Sequence, residues 1–168
     1  MLLLTFYIGT TRFVIDARRV SQVIPRVPLQ ALPLADPCIA GILDLRGGPL
    51  AVVDLSMRLF GTVCASRLST RIMIVQIKHA DREVPLGLIA EQVMELSRAD
   101  VPMNEKSAVD SASTVGAAAS VSARTAVATE QDCLGSIVRV DGELAQWIEV
   151  DRVLPETVRR QLFDQILE

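Results

Sequence analysis

The stretch Ile39–Leu55, IAGILDLRGGPLAVVDL, decides the fold. Two short apolar runs, Ile39–Leu45 and Leu50–Leu55, flank a four-residue break, Arg46-Gly47-Gly48-Pro49. Apolar runs this short, bounded by Gly and Pro, predict two buried strands joined by a tight connection. Asp44 and Asp54 each stand just before a run ends, and Arg46 stands at the mouth of the turn. One charged side chain on a stiff hairpin suits a docking surface; a catalytic pocket would need more groups.

Working outward, similar patterns recur. Leu2–Ile8 and Phe13–Asp16 flank the polar turn Gly9-Thr10-Thr11-Arg12 and predict a first hairpin. Ala17–Val23 reads as one helical turn running into a strand. Prolines at 25, 28, 33 and 37 then exclude a helix or central strand between them, because each lacks an N–H. That segment is expected to be extended and exposed. Ser56–Gly61 reads as a short helical turn. Arg71–Ile77 predicts a strand, His79–Glu83 its solvated turn, and Val84–Leu96 one long return strand weakened by Pro85 and Gly87. Asp141-Gly142-Glu143, between Ser136–Val140 and Leu144–Val150, carries the Asp-Gly signal of a type I′ hairpin. Pro155 opens a terminal helix over 155–168, with Val158, Leu162, Phe163, Ile166 and Leu167 on one stripe and Arg159, Arg160 and Asp164 opposite. Ser107–Glu130 differs from the rest: twenty of its 24 residues are Ala, Ser, Thr or Val. Too little apolar surface is available there to offset ordering entropy, so a flexible insertion (107–130) is expected, with a frayed helix as the alternative.

Hydrophobic residues make up 50% of the chain but aromatics only 4%, so the core is aliphatic. The net charge of −3 argues against nucleic acid and anionic lipid as partners. Three cysteines, Cys38, Cys64 and Cys133, lack C-x-x-C spacing and are odd in number, which fits reduced thiols packed as small core residues in cytoplasm. The apolar start MLLLTFYIG has no basic residue before it and no small-residue cleavage site after it, so it does not read as a signal peptide. No apolar run reaches the roughly 18 residues of a membrane span. About eight to ten short strands with little helix predict an all-β protein of closed or partly closed barrels.

Chemistry finds little purchase. The lone His79 has no acid or nucleophile beside it in sequence, and one histidine cannot furnish a multi-histidine metal site. Gly47-Gly48 lacks the G-x-x-x-x-G-K-[ST] of a phosphate loop. If the hairpin turns about Gly47-Gly48, Asp44 faces Ala51 and Asp54 faces Gly41. The carboxylates then lie roughly 10 Å apart at about 3.3 Å per residue. A proton-sharing dyad needs about 3 Å. Both aspartates are therefore expected to bind backbone N–H groups. Arg46 is either a solvated turn residue or a displayed one, and Trp147 is either core or a partly exposed anchor. No catalytic residue, cofactor or metal ligand is assigned.

Phe13–Pro25, FVIDARRVSQVIP, followed by Pro37–Leu55, PCIAGILDLRGGPLAVVDL, closely resembles the CheW family of chemosensory adaptor domains. Ile15-Asp16, Arg19-Val20-Ser21-Gln22-Val23, Gly41, Leu45-Arg46-Gly47 and Val53-Asp54-Leu55 fill the family's pattern. Arg71–Ile77 with Leu86–Leu96, and Leu134–Leu154, resemble the second half and the closing hairpin. Gln22 replaces the family's usual acid, so any salt bridge between that position and Arg46 is lost, and Asp44 replaces its usual Asn. The resemblance implies two SH3-like five-stranded β-barrels sharing a hydrophobic seam (1–154) and a short C-terminal helix. It further implies a non-enzymatic adaptor, monomeric alone, linking a CheA-type histidine kinase to the cytoplasmic tip of methyl-accepting receptors. Val20, Gln22, Arg46, Gly47 and Val93 map to the docking groove on that reading. The rival readings are an SH3-like interaction module outside a receptor array and a β-barrel hydrolase.

Overall fold

The structure is a computed structural model that describes residues 1–99 and 133–166. Ser107–Glu130, expected as a flexible insertion, lies outside the described residues. Strands β1 (Leu2–Ile8), β2 (Thr11–Asp16), β8 (Gln92–Arg98), β9 (Leu134–Val140) and β10 (Glu143–Ile148) form one sheet, in the order β8-β1-β2-β10-β9. Strands β3 (Val20–Pro25), β4 (Ile39–Leu45), β5 (Gly48–Asp54), β6 (Arg71–His79) and β7 (Arg82–Ala90) form a second, in the order β3-β6-β7-β5-β4. Two α-helices, α1 (Leu55–Phe60) and α2 (Glu156–Ile166), and two 3₁₀ turns, Ala17–Arg19 and Val150–Arg152, complete the described elements.

Side-chain alternation explains why many runs read as continuously apolar. Leu4, Phe6, Phe13 and Ile15 of the first sheet join Val53, Met73, Val75, Leu86 and Leu88 of the second in one core. The intervening residues face elsewhere. Leu3 and Val14 pack with Val140 and Ala145, while Val52, Ile72 and Ile89 pack with Cys64. Each sheet thus has its own apolar cluster, and the largest cluster joins both. Gly87 sits tightly between two neighbours in its own sheet: a Cβ there would lie 3.0 Å from Val52 Cγ2 and 3.1 Å from Ile72 Cγ2, closer than ordinary van der Waals contact.

The hairpins are tighter than expected. The break at 46–49 is a two-residue turn, Arg46-Gly47, because Leu45 pairs with Gly48 and Asp44 with Pro49. Asp44 therefore does not face Ala51, nor Asp54 Gly41; Val52 is opposite Gly41. Pro49 is tolerated because it precedes the point, at Val52, where β5 acquires its second neighbour β7. The first turn also shrinks, to Gly9-Thr10, with Ile8 opposite Thr11. The expected single strand Val84–Leu96 is two strands in different sheets. Glu91 marks the crossing: its N–H donates to the Tyr7 carbonyl at 3.2 Å and its carboxylate accepts from Gly9 N–H at 2.9 Å.

Two further expectations are corrected. His79 is not in a solvated tip; its ring lies 4.9 Å from that of Phe163 on α2. Arg159 is not on a free face of that helix. Its guanidinium donates to the carbonyls of Lys78, Asp151 and Leu154, strapping α2 to the second sheet.

Candidate docking surface

Arg46 and Gly47 have φ of 53° and 83°, the two positive values that a type I′ turn demands. Asp44 Oδ1 accepts the Gly47 N–H at 2.9 Å and fixes the turn from below. Arg46 is exposed, and its guanidinium bonds to no other described residue. The hairpin therefore holds a cation outward at a fixed place, with all five N–H donors open.

The groups that might do chemistry are tied up. Asp54 is only 4% exposed. Its Oδ1 caps α1 through Met57 N–H at 3.1 Å and its Oδ2 accepts Cys64 N–H at 2.9 Å. Both aspartates thus bind backbone N–H groups, as the sequence led one to expect. Burial pushes the Cys38 and Cys64 thiols up to about 12, which keeps them protonated and poor nucleophiles at neutral pH. Among the described residues no group of three or more His, Cys, Asp or Glu is placed to hold a metal. No helix among them is long and apolar enough to cross a membrane.

The other expected docking residues lie on sheet edges. Val20 and Gln22 stand on β3, opposite Val75 and Ile74, with a bulge between them where Ser21 Oγ donates to the Ile74 carbonyl at 3.1 Å. Val93 stands on β8, opposite Phe6. Val20 and Val93 belong to different sheets yet both pack on the joint core. Arg46 and Gly47 occupy the hairpin tip at the other edge of the second sheet, and no hydrogen bond or ion pair joins Arg46 to Gln22. Sequence reasoning missed the exposed apolar side chains on these same edge strands: Val23 on β3, and Met94 and Leu96 on β8. Edge position is set by long-range pairing, so only the alternation within SQVIP and QVMEL carried any hint of them.

A charged strut steadies this region. Arg19, in the single 3₁₀ turn leading into β3, pairs with Asp151 at 2.5 Å and donates to the Gln76 carbonyl. Burial pushes Asp151 up, but the hydrogen bonds from Arg19 and the Lys78 N–H outweigh it and hold the carboxyl below its ordinary value.

Residues 2–158 match the family model of the CheW-like domain. The chain belongs to the CheW family. CheW proteins are non-catalytic scaffolds of chemotaxis signalling, in accord with aspartates and thiols spent on structure. Among solved structures, the chain is similar to the scaffolding protein TtCheW from Thermoanaerobacter tengcongensis. The two share 21% identity and a TM-score of 0.65 over 90% of each chain, a likeness of fold. No curated protein matches the sequence.

Proposed function

We propose that this CheW-family chain couples a CheA-type histidine kinase to the cytoplasmic tip of methyl-accepting receptors. It acts by docking alone, in the cytoplasm, with each five-stranded sheet serving as an SH3-like unit. One observation carries the reading: Val20 and Val93, on edge strands of different sheets, are anchored in one core beside the exposed Val23, Met94 and Leu96. Edge strands with exposed apolar side chains are surfaces on which a partner can pack. The free Arg46 guanidinium adds an oriented donor for a partner carboxylate or a helix C-terminus. Val20, Gln22, Arg46, Gly47 and Val93 are the docking residues on this reading.

Size-exclusion chromatography of the purified chain mixed with a CheA-type kinase from the same genome tests it. Co-elution at tens of micromolar is expected, consistent with roughly micromolar affinity for a modest interface. No co-elution with any such kinase would favour an SH3-like interaction module outside a receptor array.

A further inference from the structure

At one end of the second sheet lies a cleft of about 730 Å³, the size of a small-molecule site. The end of β3, the 26–29 segment, β4 and the loop before β6 enclose it. Its lining is divided by chemistry. Val27, Leu29 and Ala40 form an apolar floor, backed by the cluster of Val52, Cys64, Ile72 and Ile89. Arg26, Arg67 and Arg71 supply the charge, and no acidic residue lines the cleft. The two carboxylates that reach the loop leading to the cleft are engaged on backbone: Asp54 on Met57 and Cys64, Glu91 on Gly9 and Ala65.

Three cations without an acid, in a chain of net charge −3, concentrate positive potential at one place. Their donors are mostly open. Arg26 uses one Nη on the Cys64 carbonyl at 3.3 Å, and Arg71 uses one Nη on the Leu68 and Thr70 carbonyls. The Arg67 guanidinium bonds to no described residue. Guanidinium forks match phosphate geometry with paired N–H bonds.

The backbone, by contrast, offers little to a peptide. Pro25 and Pro28 lack an N–H, and Ile42 on β4 already exchanges both of its hydrogen bonds with Gln30, at 2.8 and 2.9 Å. Strand addition to the sheet edge is therefore blocked at the cleft. Gly41 sustains that closure, since a Cβ there would lie 2.6 Å from the Gln30 carbonyl oxygen.

We propose that this cleft binds a phosphorylated small molecule of nucleotide type, its ring on the Val27-Leu29-Ala40 floor and its phosphates on the arginines. The site is separate from the kinase and receptor docking proposed above. Isothermal titration calorimetry of the whole chain with ATP, GTP and inorganic pyrophosphate tests it, with a decaglutamate peptide as the acidic-peptide arm. At least one nucleotide should bind saturably, and roughly tenfold or more tighter than pyrophosphate, because only the nucleotide reaches the floor. Arg67→Glu should weaken it roughly tenfold or more with an unchanged melting temperature, since that side chain holds nothing in the fold. Arg26→Gln gives a second reading should the first variant fold poorly. Equal affinity for pyrophosphate overturns the assignment of the floor. No saturation by either nucleotide at millimolar concentration, indifference to both arginine variants, or binding of decaglutamate alone overturns the proposal.

Discussion

Arg46 keeps a Cβ at φ 53°, where an L-residue is strained by about 1–2 kcal/mol and glycine is not. Its side chain supports nothing in the described fold, so the strain is offset elsewhere and serves what the residue displays. Replacing it separates the two roles. Arg46→Gly relieves the strain but gives the unfolded chain more freedom, at a cost of about 0.5–1 kcal/mol. The net expectation is a protein as stable as the parent or up to about 1.5 kcal/mol more stable, with the Asp44 lock on Gly47 intact. Arg46→Glu, with the strain retained and only the charge reversed, should stay within about 0.5 kcal/mol. Both variants should lose receptor-coupled kinase activation. Urea denaturation measures the first quantity, and kinase phosphorylation with receptor-bearing membranes the second. A loss of more than about 1 kcal/mol in Arg46→Gly would make Arg46 a structural residue. Unchanged coupling in both would refute its role in docking.

Asp54→Ala should cost about 2–4 kcal/mol in urea denaturation, from one lost helix cap and one buried Cys64 N–H left without a partner. A cost under about 1 kcal/mol would contradict that accounting. The Asp151 carboxyl is held below its ordinary value of 3.8, so its contribution is full above that pH and fades as pH falls through the lower folded value. The stability gap between the parent and Asp151→Asn should accordingly be constant from pH 7 down to about 5 and shrink below about 4; a gap independent of pH would show that the Arg19 strut does not act through charge. Replacing Ala108–Thr129 with a short Gly/Ser linker should preserve folding and kinase co-elution, since loop closure changes by only about 0.6 kcal/mol per doubling of length. An unfolded product would show that this stretch holds part of the fold.

The hairpins were legible because each is local: an apolar run, a turn signal and another run. The turns were misplaced outward wherever polar or proline residues continue into a strand, as Thr11-Arg12 and Gly48-Pro49 do. Pro85 misled less, since it sits on β7 before the parallel pairing with β5 begins at Gly87. What the sequence could not show was the change of sheet between Ala90 and Gln92. No glycine or proline marks it; the crossing is held by Glu91 bonding to Tyr7 and Gly9, more than eighty residues earlier. The exposed Arg46 was legible as a turn residue. The exposure of Val23, Met94 and Leu96 was not, because it follows from which strands end up at the margins. The arginine cleft was equally hidden, since Arg26 comes from one segment and Arg67 and Arg71 from another, about forty residues later.

The core common to both sheets has a mechanical consequence. A strand such as β7 presents Leu86, Leu88 and Ala90 to the joint core and Ile89 to its own sheet's interior. Neither sheet can loosen without exposing apolar surface of the other, so the two open as one cooperative unit. Val20 and Val93 are then held at a set separation, as on the arms of a gauge. On the proposed docking, a partner seated on one margin would pass its position to the other through the stiffness of aliphatic packing, with no chemical step in between.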